Sequence, residues 1–356
     1  MSNSTGQRKN SFSTGWQCPS NIALVKYWGK HGNQLPNNPS VSFTLSEAAT
    51  RTFVTWEEDL NTDSPGLSFL FDGKENRAFE SRIRKFLDAM SVEHFPFLKF
   101  GHLSIETSNS FPHSSGIASS ASAMSALSMA LCDLEQMISG KSVSDVLFHR
   151  KASVISRLGS GSACRSVYPV AAIWGQFAEV PGSSDEWATG LESGVHKVFH
   201  TFHDDILIIS PEEKSVSSSA GHGLMENNPY APARYVQARA HTGKLLTALR
   251  EGDLKAFGKI TEDEALTLHA LMMCSDPSYI LMKEGSLSVI NLVRRFRSDT
   301  DIPLYFTLDA GPNVHLLYPE EFEEPVGQFI SSELRPLCHE GRIIRDRVGP
   351  GPQKIA

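Results

Sequence analysis

The sequence predicts an α+β protein of two domains. The chain has 356 residues, more than a single hydrophobic core usually serves. Its first half mixes short alternating segments with two periodic helices. Its second half is dominated by helices and closes on two short apolar runs.

Residues 1–12 are polar and Ser/Asn-rich, expected to be a disordered lead-in without the apolar core of a secretion signal. The apolar start of CPSNIALVKYWGK, at 18–30, reads as a buried strand. Leu67, Phe69 and Phe71 alternate with more polar neighbours, as do Leu103 and Ile105, and both stretches read as half-buried strands. Residues 75–90 between them read as a helix. From Ser119, the apolar positions Ala121, Met124, Leu127, Leu131, Leu134 and Ile138 recur every three or four residues, which is one helix face closed by Gly140. A second helix is expected over 143–158, stopped by Gly159. Pro181-Gly182-Ser183-Ser184-Asp185 reads as a loop, so the domain boundary is expected near 185–200, giving domains 13–195 and 196–356. Beyond it come a short strand at 206–209, a helix starting at Pro232 and ending before Gly252, a second capped by Asp253, and a third led in by Pro277. Residues 303–308 and 314–318 read as strands around a Gly311-Pro312 turn.

Composition narrows the function classes. Hydrophobic residues are 40% and charged residues 21%, ordinary for a globular chain. The net charge of −7 and pI near 6.0 disfavour a nucleic-acid partner. No apolar run approaches the roughly 20 residues that span a bilayer, so no membrane role is expected. Five scattered cysteines without ligand spacing argue against a disulfide framework or zinc site and for a reducing, cytoplasmic setting. His203-Asp204-Asp205 is read as a strand-edge loop and not as a metal site.

Three motifs carry chemistry. PHSSGIASSASA, at 112–123, joins a small-residue loop to a helix start, where free N–H groups and a positive dipole end receive anions. It reads as a phosphate cradle or as an ordinary Ser-rich cap, and it lacks the Gly-Lys-Ser/Thr ending of a Walker loop. CPSNIALVKYWGK then sets Lys26 and Lys30 beside Tyr27 and Trp28. Lysines there imply an anionic partner if buried, or solvated side chains if the strand lies at an edge. RLGSGSACRSVYP, at 157–169, offers Ser160, Ser162 and Arg165, and a guanidinium grips carboxylate or phosphate two-pronged. FTLDAGPNVHLL, at 306–317, puts Asp309 at a strand end before a small-residue turn, either as a cleft carboxylate or as an Asx-turn residue.

Together, NIALVKYWGK, the Ser/Ala-rich loop, GSGSACRS and LDAGPN closely resemble the mevalonate diphosphate decarboxylase family of the GHMP small-molecule kinase superfamily, from about residue 16 to the end. KSVSSSAG, at 214–221, resembles that family's Ser-rich substrate loop. The resemblance implies the GHMP kinase fold: an N-terminal domain like domain 2 of ribosomal protein S5, a C-terminal ferredoxin-like domain, and an active site in the cleft between them. It implies ATP-dependent decarboxylation of mevalonate diphosphate to isopentenyl diphosphate with Mg2+, in a homodimer. Asp309 then matches the acid that activates the substrate's C3 hydroxyl, Lys26 the lysine that orients it, and Arg165 the arginine near the substrate carboxylate. Asn21, Tyr27, Lys30, Ser160, Ser162 and Ser218 match substrate contacts. Pro112, Ser114, Ser115, Gly116, Ala118, Ser119, Ser120 and Ser122 match the ATP phosphate loop. His269 falls where the family tends to have a histidine and reads as structural.

Two departures stand out. Pro169-Val170 replaces an expected Gly-Gly, and His113-Ser114-Ser115 makes the ATP loop more polar. The rival readings are a kinase of the same fold that phosphorylates and stops, a decarboxylase of the monophosphate, and a non-catalytic ligand sensor.

Overall fold

Period-two burial lays out the first half of the molecule. Along Gly66–Phe71, Leu67 and Phe69 are buried while Ser68 and Leu70 face solvent. The computed structural model describes residues 10–59, 64–111, 119–212 and 216–356. Its strands are β1 (Ser11–Val25), β2 (Lys30–His31), β3 (Leu35–Pro36), β4 (Ser40–Glu58), β5 (Gly66–Phe71), β6 (Lys74–Glu75), β7 (Gly101–Asn109), β8 (Ala171–Trp174), β9 (Ala188–Gly190), β10 (His203–Leu207), β11 (Tyr305–Thr307), β12 (Val314–Tyr318), β13 (Ile343–Ile344) and β14 (Gln353–Lys354). Its helices are α1 (Arg77–Glu93), α2 (Ser119–Ser139), α3 (Asp145–Gly159), α4 (Ser218–Gly223), α5 (Ala231–Glu251), α6 (Leu254–Met273), α7 (Glu284–Thr300) and α8 (Glu323–Phe329).

The first sheet runs β14-β1-β4-β7-β5-β6, with β8 and β9 attached further along β4. Among the described residues only the β5–β7 pairing is parallel, and α1 makes the crossover between those strands. The second sheet runs β11-β12-β10-β13, all antiparallel. α2 and α3 pack on the first sheet, while α7 and α8 share a core with the second. A third core joins the halves. Phe43 of β4 packs within 5.7–6.2 Å of the rings of Phe199, Phe202 and Phe257. The chain end also returns to the first sheet, where Trp16 pairs with Lys354.

Local signals explain the element ends. Asn76 accepts the Phe79 N–H at 3.1 Å to cap α1, and Asp253 accepts the Ala256 N–H at 3.0 Å to cap α6. Gly140 and Gly252 end α2 and α5 at φ of +66° and +76°, conformations glycine adopts without a Cβ clash.

Several expectations shift. β1 begins at Ser11, inside the expected lead-in, because Ser11 and Phe12 pair with Glu57 and Trp56. The helix expected from Pro277 begins only at Glu284. α2 is buried all round from Met124 to Leu134, not along one face. Its serines conceal this: the Ser125 and Ser128 hydroxyls donate back to the carbonyls of Ala121 and Met124 at 2.8 and 2.7 Å, so polar residues sit in the core with donors satisfied.

His203-Asp204-Asp205 is not a loop; these residues begin β10 and are buried. The carboxylates find partners across the sheet, Asp204 from His315 Nδ1 at 2.8 Å and Asp205 from the Tyr318 hydroxyl at 2.6 Å and from Arg345. At the Pro169-Val170 departure, Val170 sits at φ +58°, a left-handed conformation that costs a β-branched residue about 1–2 kcal/mol. It is held there by Thr44 N–H donating to its carbonyl at 2.9 Å and its own N–H donating to Gly349 O at 3.0 Å.

Candidate active site

β1 runs apolar to Val25 and delivers Lys26 at its end, where the chain turns away from the sheet. The side chain of Lys26 is 2% exposed, which rejects a solvated edge lysine. Its ammonium donates to Asp309 Oδ1 at 2.9 Å and to Ala23 O at 2.6 Å. Asp309, 27% exposed, keeps the open side of this pair. Burial pushes Lys26 below the ordinary lysine value, and the Asp309 carboxylate opposes that shift. The Lys26 backbone is clamped as well. Its N–H donates to Glu264 Oε2 at 2.9 Å, and its carbonyl accepts from Arg234 at 3.1 Å and from Asn38 at 3.0 Å. Glu264 and Arg234 are themselves a buried pair, with His241 bonding Glu264 Oε1 at 2.7 Å. Burial works to raise the Glu264 pKa, yet Arg234 and these hydrogen bonds hold it at about 2.

Arg165 lies in a 3₁₀ turn, Gly161–Arg165, directly after α3. Its guanidinium is buried and donates to Ser40 Oγ at 2.5 Å and to Asn21 Oδ1 at 3.1 Å. Both of these acceptors are neutral, and the Asp309 carboxylate, which lines the same cavity, favours the charged form against burial. A buried guanidinium whose hydrogen bonds go to neutral groups keeps the capacity to grip an anion.

Lys26, Lys30, Arg165, Asp309, Tyr27 and the Ser160 and Ser162 loop line one cavity of about 330 Å³. Ser218 and Ser120 complete its rim, Ser120 Oγ lying 3.2 Å from Ser160 Oγ. The Tyr27 hydroxyl is buried with no hydrogen-bond partner among the described residues, and burial raises its pKa. Lys30 donates to Gln34 Oε1 at 2.9 Å. His269 bonds the backbone carbonyl of Asp309 at 3.1 Å and so braces the Asp309 turn.

Not every expected residue reaches the cavity. Asn21 stands behind Arg165, bonding it on one side and the Ser166 hydroxyl on the other at 2.7 Å. Ser122 turns into the sheet, where its hydroxyl lies 2.6 Å from Thr50 Oγ1. Pro112, Ser114, Ser115, Gly116 and Ala118 lie outside the described residues, as do Lys214 and Ser215 of the Ser-rich substrate loop. Conversely, Gln34, Arg82 and His222 line the cavity unanticipated. Nothing near Arg82 in sequence marks it, since it is one arginine of several on α1. Beside the polar cavity lies an apolar slot of about 190 Å³ walled by Phe69, Phe71, Phe79, Phe86 and Met124, sharing Arg82, Ser120 and Gly159 with it.

A two-sheet α+β fold with an anion-gripping cavity at the start of α2 fits the GHMP small-molecule kinase class that the sequence resemblance implies. Comparison with known proteins narrows this. A family model described as the diphosphomevalonate decarboxylase-like N-terminal domain matches residues 18–185. Another, the mevalonate 5-diphosphate decarboxylase C-terminal domain, matches residues 205–354. A diphosphomevalonate decarboxylase from Aspergillus fumigatus is 30% identical over 334 residues, covering 89% of this chain and 80% of that one. The crystal structure of mevalonate diphosphate decarboxylase from Staphylococcus aureus superposes with a TM-score of 0.83 at 28% identity, covering 98% of this chain and 99% of that one. A solved complex with MVAPP, AMPPCP and magnesium superposes with a TM-score of 0.81 at 28% identity, covering 97% and 99% of the two chains. The chain belongs to the diphosphomevalonate decarboxylase family.

Proposed function

We propose that this chain converts (R)-5-diphosphomevalonate and ATP to isopentenyl diphosphate, ADP, phosphate and CO2. The observation that carries this reading is the buried Arg165 sharing one cavity with the Lys26–Asp309 pair. A kinase that phosphorylates the same C3 hydroxyl and stops also meets the substrate carboxylate, so it is the Lys26–Asp309 pair beside Arg165 that favours the decarboxylase.

The C3 hydroxyl of the substrate is tertiary and a poor leaving group. Asp309 takes its proton, and the oxygen accepts the γ-phosphoryl of ATP as ADP leaves. Phosphate then departs with the C–O bonding electrons. Arg165 holds the neighbouring carboxylate aligned with that bond, so loss of CO2 supplies the electron pair of the new double bond. Lys26 keeps Asp309 ionised and oriented, and Asp309 faces the cationic character at C3. Tyr27, Lys30, Ser160, Ser162 and Ser218 bind the substrate; Asn21 contributes by holding Arg165.

The start of α2, with Ser119 and Ser120, receives the ATP phosphates, and the adjoining apolar slot takes the adenine. Bound magnesium would supply charge neutralisation for those phosphates. The donors available to it here are oxygens, the Ser120 hydroxyl and the Asp309 carboxylate, which suits a hard ion carried mostly by nucleotide phosphate. Among the described residues no cluster of three or more His, Cys, Asp or Glu forms a separate metal cage.

The domain division at 195/196, a homodimer and a cytoplasmic setting are part of the same reading. The family resemblance supports the first two. The free state of Cys18, Cys132, Cys164, Cys274 and Cys338 supports the third. No helix among the described residues is long and apolar enough to cross a membrane.

Incubation with ATP, Mg2+ and either the mono- or the diphosphate of mevalonate tests the function. Isopentenyl diphosphate and CO2 from the diphosphate are expected. A phosphorylated product that retains its carboxylate would instead make this a kinase, and turnover of the monophosphate alone would change the substrate.

A further inference from the structure

The mechanism leaves His222, in the wall of the cavity, without a role. His222 lies in α4, is 8% exposed, and forms part of the cavity wall. Its ring packs at a tilt against two aromatics, with centroids 4.2 Å from Tyr27 and 4.7 Å from Trp28. Close packing holds it there: a Cβ on the preceding Gly221 would come within 2.6 Å of Trp28 and 2.7 Å of the Tyr279 hydroxyl. His222 Nδ1 is 3.0 Å from the backbone N–H of Gly29, which can only donate. Nδ1 therefore carries the lone pair and Nε2 the proton. With Nδ1 engaged by Gly29 and no bond to Nε2 among the described residues, the Nε2–H is the donor left for a cavity ligand. Burial and the nearby Lys30 hold the ring neutral, with a pKa of about 3.

Lys30 provides an independent indication of the ligand. Its ammonium bonds a neutral amide, Gln34 Oε1, and pairs with no carboxylate among the described residues. The Lys30 charge acts on His222 and disfavours its protonation. This end of the cavity thus presents a cation without a counter-ion beside a fixed neutral N–H donor, a combination suited to a phosphate oxygen.

We infer that His222 is a specificity-determining residue of the active site, donating its Nε2–H to a phosphate oxygen of the substrate beside Lys30. This rests on the decarboxylase reading above and adds a residue to it. The donor stays neutral across physiological pH, so it reads an acceptor oxygen without adding charge.

Two substitutions separate this role from mere support of Gly29. In His222→Asn, the side-chain carbonyl replaces Nδ1 and still accepts from Gly29, but the Nε2 donor is gone. In His222→Gln, the amide nitrogen replaces Nε2, and the Nδ1 acceptor is gone. Purified, folded His222→Asn should show a KM for mevalonate diphosphate raised about ten- to hundredfold, the loss of one hydrogen bond to a charged acceptor. Its kcat and ATP KM should stay within about twofold, and His222→Gln should recover much of the loss. The reverse ranking would assign His222 to supporting Gly29 and overturn the inference. A second readout needs no turnover. In 15N-labelled wild-type protein, the His222 ring should show the Nε2-protonated tautomer without titrating between about pH 5 and 8, and its Nε2–H signal should move on addition of mevalonate diphosphate or inorganic pyrophosphate. A signal unmoved at saturation overturns the inference even if the enzyme is active. A moved signal in an enzyme that yields no isopentenyl diphosphate overturns the decarboxylase reading instead.

Discussion

Lys26 Nζ lies 2.9 Å from Asp309 Oδ1 although 283 positions separate them in the chain. The contact joins the end of the first sheet's leading strand to the turn between the last long strands of the second sheet. The pair therefore forms only when both halves are folded and docked.

Asp309→Asn should abolish turnover while both substrates still bind. The amide keeps the size but neither takes the C3 proton nor carries negative charge, and Lys26 loses its counter-ion. If Asp309 were only a turn residue, Asn would be among its best replacements. Product formation and substrate binding are measured separately on a variant with a native melting transition. Retained isopentenyl diphosphate production refutes the role.

The same pair predicts an alkaline limit. The charged form of Lys26 is the active one, and burial lowers its pKa, so kcat should fall as pH rises, with a midpoint below the ordinary 10.5. A kcat–pH profile of the wild type checks this against Lys26→Arg, whose guanidinium stays charged and should remove the limb from any residual activity. A limb unchanged in the variant would belong to another group.

Arg165→Lys should lower decarboxylation by about one to several orders of magnitude in a folded protein, because a point-charge ammonium does not reproduce a planar two-pronged grip. Steady-state kinetics decide it. Near-normal turnover takes Arg165 out of the chemistry.

Glu264→Gln should lower stability by about 3–5 kcal/mol, the usual cost of leaving one member of a buried ion pair unpaired, here Arg234. The pH dependence has a definite sign. The carboxyl is held at about 2, below its ordinary 4.5, so its stabilisation is complete above about 4.5 and is lost as pH falls towards 2. Denaturant melts of both proteins across that window should show a shallower decline for the variant. Parallel curves would mean that another group governs the acid limb.

Ser120→Ala should cost roughly ten- to hundredfold in ATP handling, or ~1.4–2.7 kcal/mol, since the backbone N–H groups at the start of α2 remain. Nucleotide binding and turnover both unchanged would leave the hydroxyl without a role.

The sequence by itself determined the local structure and the chemical vocabulary. Leu67 and Phe69 announce β5, Asn76 and Asp253 cap their helices, and Gly140 stops α2, because each signal acts within a few residues of backbone. KYWGK, GSGSACRS and LDAGPN likewise marked Lys26, Arg165 and Asp309 as chemistry-bearing groups. The tertiary structure decided which of these groups meet and which polar groups are buried. Asn21 and Ser122 look like ligand contacts in their motifs, yet one braces Arg165 and the other bonds Thr50 inside the sheet. His203-Asp204-Asp205 looks like a solvated edge and is buried, because its partners His315, Tyr318 and Arg345 lie more than a hundred residues away. His222 and Arg82 enter the cavity with no local mark at all. The physical reason is common to these cases: a side chain's hydrogen-bonding and charge balance is settled by whatever packs against it, and that neighbour is specified by the fold and not by adjacent sequence.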